Sequence, residues 1–132
     1  MHESLLCVRW ETPVSDANVL MMKLCSNNGD LDITLDRSSV SETQGEIQIR
    51  FRKVSAFRCI LEKFRMELWN SHSANERPGR TFIIENSPWI AELETLEPVF
   101  SALNKDTRHY VIATDWDVVE ILSGHAPAIL KL

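Results

Sequence analysis

Asn18–Asp36 reads NVLMMKLCSNNGDLDITLD, and this stretch decides the fold. An apolar run over 18–25 is followed by Asn27-Asn28-Gly29-Asp30, and then Leu31, Ile33 and Leu35 alternate with Asp32, Thr34 and Asp36. Asn-Gly tolerates the positive φ angles that a two-residue hairpin turn demands. Strict alternation puts Leu31, Ile33 and Leu35 on one face, so the second arm is a half-buried strand. Residues 18–36 are therefore expected to form a β-hairpin.

The pattern continues on both sides of the hairpin. Leu5–Trp10 reads as a short strand ended by Pro13. Arg37–Gly45 is rich in Ser and Thr and reads as a loop. Glu46–Lys53 alternates again, with Ile47, Ile49 and Phe51 on one face and Gln48, Arg50 and Arg52 on the other. Val54–Leu61 is expected to continue the sheet after a bend near Ser55. Lys63–Trp69 fits helix or strand equally, and 70–79 reads as a loop ending in Pro78-Gly79. Further strands are expected at Arg80–Glu85, Tyr110–Ala113 and Val118–Leu122, with an apolar tail at Ala128–Leu132.

Ser87-Pro88 is a helix start, because serine can cap and proline suits the first helical position. Trp89, Ile90, Leu93 and Leu96 follow with helical spacing, and Pro98 breaks or kinks the helix before Val99, Phe100 and Leu103. The clearest helix thus spans about residues 87–103. Strands dominate the first half and no β-α-β alternation appears. The expected fold is a single α+β domain over residues 1–132, a mainly antiparallel curved sheet or partial barrel of about seven to nine strands with one or two helices.

The chain has 132 residues, 44% hydrophobic and 25% charged, with a net charge of −5. That composition is globular and not disordered. The acidity disfavours nucleic-acid binding, which draws on basic surfaces, and favours a basic protein partner. The N-terminal residues are not expected to act as a secretory signal, and no apolar run is long enough to span a membrane as a helix. The three cysteines, Cys7, Cys25 and Cys59, form no CxxC pair. They are expected to be buried, reduced thiols in a cytoplasmic protein.

Reactive constellations are absent from the sequence. No two of His2, His72, His109 and His125 are spaced as helix-borne metal ligands. The four glycines form no phosphate loop, and G-x-S-x-G does not occur. Two acidic groups stand out: Glu92, Glu94 and Glu97 on the helix, and Asp115, Asp117 and Glu120 around Trp116. Their simplest reading is as solvated acids. As a recognition face they would meet a basic partner, with Trp116 as the exposed aromatic anchor. The basic residues Arg50, Arg52, Lys53, Arg58, Lys63 and Arg65 read as a charged solvent face, with Phe51, Phe57 and Phe64 pointing inward.

Four short segments occur in order: IQIRFRKVSAF over Ile47–Phe57, FIIENSPW over Phe82–Trp89, HYVIA over His109–Ala113 and VVEILS over Val118–Ser123. The arrangement resembles small bacterial proteins similar to the immunity proteins of contact-dependent and polymorphic toxin systems. The resemblance implies a cytoplasmic binding module without enzymatic activity, and it transfers no functional residue. The expected function is accordingly a non-enzymatic protein-binding module that neutralises a partner through an acidic surface, with no cofactor. Asp115, Trp116, Asp117, Glu92, Glu94 and Glu97 are the candidate contacts. The alternative is a small-ligand-binding or hydrolytic domain with a pocket between the sheet and a covering helix, lined by Trp89, His109, Tyr110 and Asp115. A homodimer through a sheet edge or the apolar tail is a third expectation.

Overall fold

The computed structural model describes residues 5–16, 18–37, 45–65, 78–103 and 105–131. Nine strands and two helices lie among them: β1 (Cys7–Arg9), β2 (Val19–Asn27), β3 (Asp30–Arg37), β4 (Glu46–Phe51), β5 (Val54–Leu61), β6 (Thr81–Ile84), α1 (Pro88–Leu96), α2 (Pro98–Leu103), β7 (Arg108–Ala113), β8 (Asp117–Ser123) and β9 (Ala128–Lys131). A 3₁₀ turn at Glu62–Phe64 follows β5. The fold is α+β, as the alternation implies. The strands divide into two antiparallel sheets, ordered β1-β6-β7-β8-β5 and β2-β3-β4-β9, and they do not close into a barrel.

The hairpin forms as the sequence dictates. Asn28 and Gly29 take φ of 52° and 88°, and Asn27 pairs with Asp30. Leu31, Ile33 and Leu35 are buried. The chain changes sheet between β4 and β5, where Arg52-Lys53 makes a two-residue turn with Lys53 at φ 52°. The expected bend near Ser55 is a bulge in the β5–β8 ladder between Val54 and Ala56. The apolar tail is strand β9, which pairs with β4 at the edge of the four-stranded sheet.

The main core lies between the sheets. Leu31, Ile33, Leu35, Ile47, Ile49 and Phe51 meet Tyr110, Ile112, Val119 and Ile121. Trp10, Phe51 and Tyr110 pack edge to face, with centroids 5.2 to 6.0 Å apart, a favoured aromatic geometry. A second cluster of Phe82, Ile84, Val111, Ala113 and Val118 lies on the opposite face of the five-stranded sheet. Strands β7 and β8 are therefore buried on both faces, which explains why they read as nearly unbroken apolar runs.

Several expectations are overturned. Neither helix buries a residue, and Leu96, Val99 and Leu103 are exposed, so the apolar stripe of the helix does not cap a core. Cys25 and Cys59 are exposed and Cys7 is half-buried; Cys59 lies on the exposed face of edge strand β5. Phe57 and Phe64 are also exposed. Phe57 and Cys59 pair with the core residues Ile121 and Val119 and so share their face; they are exposed because β5 is the edge strand of its sheet. Lys63 and Phe64 belong to the 3₁₀ turn. The ambiguous stretch beyond residue 65, most of the 70–79 loop, and His2 and His72 lie outside the described residues.

Candidate functional site

Strand register assembles a polar cluster on the face of the five-stranded sheet away from the main core. Glu120 on β8 lies opposite Val111 on β7 and Arg58 on β5. His109 lies opposite Ile84 and Leu122. Glu120 is 0% exposed and His109 is 1% exposed. A buried carboxylate needs paired charge and full hydrogen bonding, and Glu120 has both. Arg58 Nε and Nη2 donate to it at 3.1 Å, while Arg65 Nε and Nη2 donate at 2.8 Å. Each is a two-pronged guanidinium–carboxylate pair, the strongest such geometry. Arg58 also lies over the Trp89 ring at 4.1 Å, and Trp89 meets His109 edge-on at 5.5 Å.

The histidine links the sheet to the helix. His109 Nε2 lies 2.8 Å from Glu120 Oε1, and Nδ1 lies 2.7 Å from Ser87 Oγ. The ionised carboxylate only accepts, so Nε2 carries the hydrogen and Nδ1 accepts from the serine hydroxyl. Ser87 Oγ in turn accepts from the Ile90 amide at 3.1 Å and caps α1. Burial pushes the His109 pKa down. Glu120 pulls it up, less strongly, while Arg58 and Arg65 lower it further. The ring is therefore neutral. Burial alone would raise the Glu120 carboxyl, but hydrogen bonds from His109, Arg58 and Arg65 outweigh it and hold the pKa at about 2.

Serine, histidine and carboxylate thus stand in the connectivity of a nucleophile, its base and the base's orienter. The surroundings oppose that chemistry. Two guanidiniums already occupy the carboxylate, which leaves little negative potential to stabilise an imidazolium. Ser87 is 7% exposed, and its oxygen serves both the histidine and the helix cap. The cluster is a tie that fastens the start of α1, together with Arg58 and Arg65, onto the sheet.

This cluster corrects two readings. Glu120 is not a solvated acid beside Trp116, because the alternation of β8 turns it to the same buried face as Val118 and Leu122. Arg58 and Arg65 are not a free charged face. Of the proposed pocket residues, Trp89 and His109 meet, but Tyr110 points into the core between the sheets and lies with Trp10 and Phe51.

The other candidates occupy the surface. Asp115, Trp116 and Asp117 form the β7–β8 turn. Thr114 Oγ1 accepts from the Trp116 and Asp117 amides at 3.3 and 2.8 Å, and Asp115 N donates to Val19 O. The turn is thereby fixed while the Trp116 side chain stands 69% exposed. Asp115 pairs with Arg80 at 3.0 Å. The Trp116 carbonyl accepts from the Glu62 amide at 2.9 Å, which brings the exposed Leu61 and Phe64 to the same end of the sheet. Glu92, Glu94 and Glu97 are exposed along α1 and just after it.

Among the described residues no group of three His, Cys, Asp or Glu side chains could hold a metal ion, and no helix is long and apolar enough to cross a membrane. No protein-family model, curated protein or solved structure matches this chain.

Proposed function

We propose that this chain is a non-enzymatic protein-binding module that neutralises a partner, as immunity proteins do, through the end of its five-stranded sheet centred on Trp116. The observation that carries the reading is the exposure of Trp116 on a turn held rigid by Thr114 and Val19. A large aromatic side chain held in place without cover is the kind of residue that dominates interface energetics. Leu61 and Phe64 supply apolar surface beside it, and Asp117 supplies an acidic group at its rim, while Asp115 is held by Arg80. The most reactive-looking group of the fold, Ser87–His109–Glu120, is absorbed in packing, which favours binding over catalysis.

The test is capture of purified toxin domains and of the proteins encoded beside this one, using the immobilised chain. A specific complex is expected, and Trp116→Ala is expected to weaken it by about 2 kcal/mol or more, the scale of an interface hot spot. Recovery of no protein, or a complex indifferent to Trp116→Ala, would refute the reading.

A further inference from the structure

A groove of about 470 Å³ lies at the other end of the five-stranded sheet, away from Trp116. That volume is within the range of small-molecule sites. Val8, Trp10 and Ile83 face it from β1, the residue following it and β6, and Ile90 faces it from the first turn of α1. They give it an apolar floor, half-buried or exposed.

Its polar groups are the unusual part. Ile84 pairs with His109, Glu85 follows Ile84, and Arg108 precedes His109, so Glu85 and Arg108 are neighbours across the strands. Both line the groove and both are exposed, yet the structure holds no ion pair between them. Arg9, by contrast, is occupied by Glu11 and Asp16.

We propose that this groove binds a free α-amino acid with an apolar side chain. Its carboxylate accepts from the Arg108 guanidinium, its ammonium meets Glu85, and its side chain lies on Val8, Trp10, Ile83 and Ile90. Opposite charges on neighbouring strand positions match the close spacing of an ammonium and a carboxylate on one carbon. A simple fatty acid would leave Glu85 facing its carboxylate, and a simple amine would leave Arg108 unanswered. The site shares no residue with the Trp116 surface, and the proposal does not depend on the protein-binding reading.

The experiment is an NMR titration of the ¹⁵N-labelled full chain with L-leucine, 4-methylpentanoate, 3-methylbutylamine and L-serine. Leucine is expected to give saturable shifts at the amides of Val8, Ile83, Glu85 and Arg108. The three probes lacking the amino group, the carboxylate or the apolar side chain should each bind about tenfold more weakly or worse, the scale of one hydrogen bond to a charged group. Arg108→Gln and Glu85→Gln should each weaken leucine binding by a similar factor without lowering the melting temperature. Absence of saturable shifts with leucine, shifts confined to other residues, or equal affinity for leucine and either singly charged probe would overturn the proposal.

Discussion

Replacing Glu120 by glutamine removes one negative charge and almost no volume, so it isolates the electrostatics of the buried cluster. Arg65, whose side chain is 13% exposed, would then face a neutral amide, and so would Arg58, which is 41% exposed. Removing one partner of a buried ion pair costs about 3–5 kcal/mol. The exposure of Arg58 screens its share, which places Glu120→Gln near the lower end, about 3 kcal/mol. The same contacts hold the Glu120 pKa at about 2 against an ordinary 4.5, a shift of the same order, about 3 kcal/mol. For a chain of this size that is a fall of about 10 °C in melting temperature. Urea denaturation of wild type and Glu120→Gln, with the Arg65→Met single and double variants, would measure it. The double variant should lose clearly less than the sum of the singles, because the two side chains are partners. A Glu120→Gln protein within about 1 kcal/mol of wild type, or strict additivity with Arg65→Met, would refute the clamp.

Three further outcomes follow from the same geometry. Acid should weaken the fold in two stages. The His109 pKa is lowered on folding, so stability is lost as pH falls below 6.5; the Glu120 pKa is also lowered, so its contribution is lost between 4.5 and about 2. His109→Gln should flatten the first stage in a pH series of urea midpoints and leave the second. Gly79→Ala should cost more than Gly29→Ala by thermal melting: both have positive φ, but a Cβ at Gly79 would sit 2.6 Å from Ser15 O, whereas none of the surroundings crowds Gly29. Ser87→Ala removes the α1 cap and leaves His109 Nδ1 without its donor, an expected loss of about 2 kcal/mol in urea unfolding.

Much of the fold was legible because its signals are local. Asn28-Gly29 can make its turn with no help from elsewhere, and the alternation of β3 and β4 faces one core. Ser87-Pro88 announces a helix start wherever the helix is placed. The cluster was less legible, although part of its signal was present. Glu120 stands between Val118-Val119 and Ile121-Leu122, and an acid that such a strand carries into the interior has to be paired there. Its grouping with Asp115 and Asp117 by proximity in sequence concealed this, since a strand turns alternate residues to opposite faces. The partners could not be read at all. Arg58 and Arg65 reach Glu120 only through the β5–β8 register, which pairs residues about sixty positions apart. The exposure of Phe57 and Cys59 was hidden for a similar reason, because the pattern gives two faces without saying that β5 ends its sheet.

The division between a packing cluster and an exposed binding end is tested most directly by one capture experiment on three proteins: wild type, Ser87→Ala and Trp116→Ala, each titrated against the captured partner at a temperature where all are folded. Equal affinity is expected for wild type and Ser87→Ala, and loss of the complex for Trp116→Ala with its melting temperature unchanged. A partner that ignores Trp116→Ala, or a function abolished by Ser87→Ala in the folded protein, would contradict it.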